Sequence, residues 1–378
     1  MSDLLILKTL AVSNPIPWLA ALAGLSLFAR TTQAIPARFT QQCLQRETLS
    51  AATQQTIDAL LKIAQTDDCS IADRLLSAES SLTLNGAQLS DLNPLTAFPQ
   101  LQALYLDNNS IEDLSPLAQL PQLQTLALGN NQIADLSPLT ELTDLTQLYL
   151  NHNRIQNLQP LSRLTRLMEL DLGHNAIQDL EPLNPLTQLT HLSLPHNEIA
   201  DLRPLADLVQ LQVLALDSNQ IADVSPLSKL SALTGLSLDT NQVTNLQPLS
   251  NLDNLIELDT DNNPVTPDQR RSIEQAIHFR KLTTQYVCEN CDLAGLDLSN
   301  SDLIGTYLVG TNLTNTNLQS ADLVGANLEN ANLNGANLAA ADLSSAFLLG
   351  ADLTGANLQG TNLCNATLPN GQTGGCTP

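Results

Sequence analysis

An asparagine returns every 22 residues, at Asn109, Asn131, Asn153, Asn175, Asn197, Asn219, Asn241 and Asn263, and a proline keeps the same step from Pro94 to Pro248. A period of that length restricts the chain to a stack of similar coils, because one unit is too short to bury an apolar face by itself and gains a core only from its neighbours. The stretch from Leu145 to Leu164 carries the whole pattern. Leu148 and Leu150 alternate with Gln147, Tyr149 and Asn151, a period of two that sends leucine inward and the other side chains outward on a short strand. Ile155, Leu158, Leu161 and Leu164 turn inward from the return path. Asn153 stands where the chain leaves the strand, so its amide is expected to satisfy backbone groups that no strand ladder reaches. Pro160 has a fixed φ and no N–H, which suits the first position of a short 3-10 turn on the outer side. Leu161 and Leu164 lie three apart, as such a turn requires.

A second period follows. From Leu293 to Leu368 a leucine occurs at every fifth position, sixteen times, a step that neither an α-helix nor a simple strand produces. The residue two before each leucine is small in nearly every unit: Ser301, Thr306, Thr311 and Thr316, then alanine from Ala321 to Ala356. Leu296 breaks that rule and puts the regularity of the first coil in question. Composition agrees with two long, thin cores, since one Trp, five Phe, four Tyr and two Met in 378 residues leave leucine to do the packing.

With Ile111-Glu-Asp113-Leu114-Ser-Pro116-Leu117 as its example, the first array resembles the leucine-rich repeat of the bacterial internalin-like type over about residues 82–265. The second, A-(D/N)-L-x-x, resembles the pentapeptide repeat. These resemblances imply a repeat solenoid in two parts: an α/β leucine-rich repeat horseshoe with a parallel concave sheet and 3-10 turns on the convex side, then a right-handed quadrilateral β-helix. They also imply that concave side chains contact a protein partner. Ala87 in place of Asn and Thr260 in place of Leu fall in the end units, where no neighbour stacks and departures are expected. The opening Cys288-Glu-Asn-Cys291-Asp-Leu and the ending from Cys364 to Cys376 resemble the flanks of exported bacterial pentapeptide proteins.

The chain divides as follows. Residues 1–34 read as a signal peptide, with Lys8 before an apolar run from Trp18 to Phe28 and small residues around Thr32-Gln33-Ala34. Residues 35–80 form a helical N-terminal cap, in which Ile57, Leu60, Leu61 and Ala64 have helical spacing after Ser50. Residues 81–265 are leucine-rich repeats. Residues 266–287 hold a C-terminal cap helix and linker: Thr266-Pro267-Asp268-Gln269 resembles a capping box with Pro at the first helical position, the helix runs through Ile277, and His278 to Val287 joins the arrays. Residues 288–378 are the β-helix. An even set of six cysteines fits an oxidising compartment, and their places at solenoid ends lead us to expect the pairs Cys43/Cys69, Cys288/Cys291 and Cys364/Cys376, although number alone leaves many connectivities open. A redox or half-zinc role for Cys288 and Cys291 is disfavoured, because no second such pair exists and no His lies near it in sequence.

Formal charge is −23, with 21 acids against 5 bases between residues 81 and 265, and eight acids with no Lys or Arg from 288 to 378. Such a surface repels phosphate backbones and anionic headgroups, so nucleic-acid binding and membrane insertion of the mature chain are not expected. No phosphate loop, His-Glu-x-x-His helix or nucleophile elbow is present, and the expectation is a non-enzymatic scaffold without a cofactor. Two ladders are weighed as metal sites. His152, His174 and His196 share one slot in adjacent units, a place for a transition metal or a pH-dependent patch. Asp302, Asp322 and Asp342 stand one per coil, where stacked carboxylates should raise one another's pKa unless calcium or magnesium intervenes. Both slots also hold other polar residues, among them Asn130, Thr240 and Asn362, so simple interchange explains them equally well. Strand-face residues vary as a binding surface should: Tyr105, Gln147, Tyr149 and Asn151 are aromatic and polar, Glu169, Asp171 and His191 continue the face, and Asp217, Asp239, Glu257, Asp259 and Asp261 make its far end acidic. The expected function is an exported, secreted or periplasmic cell-envelope scaffold that binds a protein partner, basic or mixed toward that acidic end. An acidic β-helix that mimics DNA and inhibits a DNA-binding enzyme is one alternative, which the leader and cysteines weigh against. A rigid envelope spacer is the other.

Overall fold

The computed structural model describes residues 38–376; the expected signal peptide over 1–34 lies outside the described residues. Nine three-residue strands, from Ser81–Thr83 (β1) through Gln147–Tyr149 (β4) to Glu257–Asp259 (β9), form one parallel sheet in chain order. Register advances by one repeat at each step, pairing Leu82 with Leu104 and Leu126 with Leu148. The central leucines face the core and are buried, apart from Leu258 of β9, which is only partly covered. The period-two reading therefore places every strand correctly.

The spine asparagine bonds in two directions. Asn153 Nδ2 donates to the Leu128 carbonyl of the preceding coil at 2.9 Å and to Leu150 O of its own at 3.0 Å, while its Oδ1 accepts from Ile133 N at 2.9 Å. Asn175, Asn197, Asn219 and Asn241 repeat the arrangement. These side chains take over from the strand ladder where the coil bends, serving two carbonyls and an N–H that the ladder does not reach.

On the return path, 3-10 segments run from Asn93–Ala97 to Gln247–Leu249. Proline is their second residue rather than their first: Gln159 opens the segment that holds Pro160. The first residue keeps its N–H for a side chain two positions earlier, a bond proline cannot make. Gln159 N donates to Asn157 Oδ1 at 3.0 Å, and Ser115, Ser137 and Arg203 donate to Asp113, Asp135 and Asp201 in the same way. The Ser115, Ser137 and Arg203 side chains first, and then those backbone bonds, hold the Asp113, Asp135 and Asp201 carboxyls below their ordinary pKa.

The second array advances by 20 residues per coil, as the parallel bridges Asp302 to Asp322 and Tyr307 to Asn327 record. Each coil is tied on both sides by backbone bonds: Leu323 N donates to Asp342 O at 2.7 Å and Asp322 N to Ser301 O at 2.9 Å. The inward leucines from Leu308 to Leu348 and the alanines two residues before them, from Ala321 to Ala346, are fully buried. Thr306, Thr311 and Thr316 also lie wholly inside, and their hydroxyls donate to the carbonyls of Leu303, Cys288 and Leu293. The coil containing Leu296 is regular after all, because Leu296 packs against the core edge and its carbonyl accepts from Asn317 N at 2.9 Å.

Helices close the open ends. Before β1 come α1 (Arg38–Leu44), α2 (Ala51–Ala64) and α3 (Cys69–Leu76). Ser50 caps α2 by accepting from Thr53 N, Phe39 meets Phe98 at 5.3 Å between ring centroids, and a Cys43–Cys69 disulfide joins α1 to the start of α3. Beyond β9, α4 spans Pro267–Gln285. It is longer than the helix expected to stop at Ile277, and it absorbs most of the expected junction. Thr266 Oγ1 accepts from Gln269 N at 3.3 Å, but Gln269 Oε1 finds no partner, so only half of the capping box forms. The extra turns let one helix serve both solenoids. Ile273 and Ile277 pack into the first core and Leu282 into the second, while Gln275 Nε2 donates to Ala294 O at 2.9 Å and His278 Nδ1 accepts from Asp292 N at 3.1 Å. The other cysteines pair as Cys288–Cys291 and Cys364–Cys376.

Candidate protein interface

Outward strand positions line up in columns across the sheet because register shifts by one whole repeat per strand. Tyr149, Glu169, Asp171, His191 and Val213 are brought together around a shallow depression with mainly apolar walls. Tyr149 Oη donates to Glu169 Oε2 at 2.5 Å. Burial and then this bond push the Tyr149 phenol well above its ordinary pKa, and the same bond lowers the Glu169 carboxyl. Gln147 Oε1 accepts from Thr125 Oγ1 at 2.9 Å beside them. Tyr105 stands two strands earlier, half-buried in the column of Tyr149. Val213, 40% exposed, was not singled out from sequence, although an apolar residue at an outward strand position was the available signal.

Asn151 and its column do two jobs. Asn151 lies over Gly129, where an added Cβ would come within 2.6 Å of its Oδ1. Asp217 Oδ1 accepts from Asp239 N at 3.1 Å, and Asp239 Oδ1 from Asp261 N at 2.7 Å, so these carboxylates stitch successive coils together while edging the face. The Ser237 hydroxyl also donates to Asp217. Asp261 is paired with Arg270 of α4 at 2.8 Å, which lessens the expected acidity of this end. Charge density remains high near Glu257 and Asp259. Desolvation first, then Asp239, Asp217, Asp261 and Glu257, raise the Asp259 carboxyl above its usual range.

Neither ladder forms a metal centre. His152, His174 and His196 stack face to face, with ring centroids 3.9 and 4.1 Å apart and planes inclined by 11° and 19°. Parallel rings do not aim their nitrogens at one point, as shared coordination requires. Backbone geometry explains the slot instead. Its residues, including Asn108, Asn130, Ser218 and Thr240, all have φ between 54° and 59°, the left-handed region in which Asn and His are enriched. Burial, with the neighbouring imidazoles, lowers the His174 pKa. Asp302, Asp322 and Asp342 each turn back to accept an N–H two residues on, from Ile304, Val324 and Ser344. Asp342 is accordingly lowered in pKa by Ser344, opposite to the expected mutual elevation. Among the described residues no three His, Cys, Asp or Glu side chains are arranged to hold a metal ion, and no helix is long and apolar enough to cross a membrane.

Residues 99–141, 121–163, 143–185 and 187–229 match the family described as Leucine Rich repeats (2 copies). An internalin C2 from Listeria monocytogenes is 30% identical, with 55% of this chain and 91% of that one covered at a TM-score of 0.52. The chain belongs to the internalin-like leucine-rich repeat proteins. It carries a second family at its C-terminal end, Pentapeptide repeats (8 copies), over residues 291–330 and 331–368. Further structural likenesses are an internalin from Listeria monocytogenes, 24% identical over 73% of this chain and 94% of that one at a TM-score of 0.44, and a leucine-rich repeat protein from Leptospira interrogans, 19% identical over 79% and 87% at 0.49. Among curated proteins nothing matches. An internalin-like leucine-rich repeat fold is in general a scaffold for protein interaction, and both repeat families are typically non-catalytic.

Proposed function

We propose that this leucine-rich repeat protein is an exported, non-enzymatic scaffold that recognises a protein partner across the outward face of its sheet. The observation that carries the reading is a rigid ladder of side chains that the fold does not need, grading from Tyr149, His191 and Val213 around a depression to Glu257 and Asp259 at the far end. Aromatic groups held on strands lose little entropy on binding and anchor interfaces, while clustered carboxylates steer a basic partner toward that end. Three disulfides at solenoid ends support an oxidising compartment outside the cytoplasm. A DNA mimic is less well supported. Asp and Asn share the bridge positions of the β-helix: Asp302, Asp322 and Asp342 stand in one column, but Asn317, Asn337 and Asn357 in another and Asn312 and Asn332 in a third, so the charge is confined to part of one face.

The test begins with a partner recovered on the immobilised protein from an envelope extract. Changing Asp239, Glu257 and Asp259 together to Lys should weaken its affinity about tenfold or more and flatten the dependence on salt. Tyr149→Ala should slow nothing in association but speed dissociation. Unaltered affinity in both variants would place the interface elsewhere.

A further inference from the structure

The four bridge columns of the β-helix are not alike. Three hold only Asp and Asn, as in Asp292, Asn312, Asn332 and Asp352, while the fourth runs Val287, Tyr307, Asn327, Phe347 and Thr367. The corners of that face are apolar as well: Ile304 and Val324 precede the column, and Val309 and Leu349 follow it. Among the large apolar side chains that stand exposed in residues 287–376, only the inward leucine Leu358 lies off this face; Phe347 is 54% exposed and Ile304 51%. Asp or Asn serves the same position in the other three columns, so coil packing does not demand Tyr307 or Phe347. An apolar patch with a polar rim marks an interaction site. Its rim is acidic. Asp302, Asp322 and Asp342 form the next column on the Ile304 side, and Glu329 stands among the corner residues on the other. Each of the three Asp uses Oδ1 to accept the N–H two residues on, which leaves Oδ2 turned to no protein hydrogen bond among the described residues. No Lys or Arg occurs from Leu282 to Pro378, so the array holds no cation to neutralise this border.

We propose that this face docks a basic amphipathic helix of a partner protein, with the apolar stripe of the helix on Tyr307 and Phe347 and its Lys or Arg side chains along the Asp302, Asp322 and Asp342 border. Charge complementarity selects the base-lined stripe, since an apolar strip beside a row of carboxylates is matched by an apolar strip beside a row of cations. Pitch selects the helix. Coils stack about 4.8 Å apart and an α-helix rises about 5.4 Å per turn, so a helix laid along the β-helix axis sets one turn against each coil. The three coil steps from Val287 to Phe347 then engage about three turns, with anchors at i, i+3, i+4 and i+7. An added strand has no edge to pair with, because the backbone of this face is already bonded from coil to coil, Tyr307 N to Tyr286 O and Leu308 N to Asn327 O. A second copy of the array would bring carboxylates against carboxylates and no base, and an anionic lipid surface is repelled by the same charges.

The probe is a synthetic helix of about 18 residues, a leucine stripe with lysines along one border. Its affinity for the full chain is read by fluorescence anisotropy at about 0.15 M salt. Tyr307→Ser together with Phe347→Ser should weaken binding about tenfold or more. Tm and far-ultraviolet circular dichroism should not change, since Asn327 and Thr367 already occupy that column. Two sets of charge removals separate docking from general attraction to an acidic protein. Asp302→Asn, Asp322→Asn and Asp342→Asn together should weaken binding and flatten its salt dependence, whereas Asp292→Asn, Asp297→Asn and Asp352→Asn together should leave both nearly as they were. The variant with Asp239, Glu257 and Asp259 changed to Lys should still bind the peptide, which separates this face from the proposed partner surface of the sheet. The proposal is overturned by a parent chain that does not bind, by equal losses in the two Asn triples, or by affinity that survives both serine changes. It is also overturned if the face takes a neutral β-glucan oligosaccharide or a second copy in place of the peptide, seen as sugar binding or self-association that Phe347→Ser removes.

Discussion

The two arrays advance by nearly the same number of residues per coil, 22 and 20, yet they solve the hydrogen-bonding problem differently. In the leucine-rich array only three residues per coil form strand, and the irregular path between strand and 3-10 segment needs a buried asparagine to serve backbone groups that geometry strands. In the β-helix the path turns at equal intervals and the backbone groups of neighbouring coils face each other, so the ladder is made by backbone and the Thr311 and Thr316 hydroxyls only add to it. The price of that regularity is a narrow interior: leucine must be accompanied by alanine, serine or threonine. Asymmetry is what makes the first array useful, since one face of its coil is free of packing duty and can vary.

The largest expected effect tests the wider core. Leu148→Ala should cost about 2 to 5 kcal/mol by leaving a cavity between stacked coils, read from chemical denaturation. Next comes the narrow core, where the reverse change should hurt: Ala331→Leu should cost about 1 to 3 kcal/mol by overpacking, and a Tm equal to that of the parent would break the distinction between the two interiors. Asparagine sharpens it further. Asn153→Ala strands buried backbone groups and should cost about 1 to 3 kcal/mol, whereas Asn332→Ala, at an exposed bridge position, should cost about 0.5 kcal/mol or less.

The smallest effect concerns pH. The folded His174 pKa lies below its unfolded value because burial and two stacked imidazoles disfavour the cation. The unfolded chain therefore binds a proton first as pH falls, and stability should decline below about pH 6.5, toward the lowered folded pKa. His174→Asn, the residue already tolerated at Asn130 in the same slot, should remove that slope while leaving Tm at pH 8 unchanged. A slope that persists would assign the pH response to other groups.

Much of the fold was legible because each repeat states the same rule many times. Leu148 and Leu150 alternate with outward residues, Asn153 recurs at the bend, and the leucine at every fifth position of the second array points inward, as expected. Pro160 was placed one residue too early, because the carboxamide of Asn157 claims the first N–H of the turn and that contact leaves no periodic signal apart from the Asp or Asn itself. At the interface, the residues could be enumerated but their company could not: the Tyr149 to Glu169 bond joins side chains on adjacent strands, and the Asp217 and Asp239 carboxylates proved to hold backbone as well as edge the surface.

Periodicity alone determined that two stacked cores exist and which side chains fill them, since coil stacking is a local rule applied to near neighbours. Tertiary structure decided what happens where repetition stops. That α4 closes the finish of one solenoid and the start of the other, and that three histidines lie ring upon ring instead of converging, depend on how side chains meet in space, and a repeat pattern carries no information about what covers its own ends.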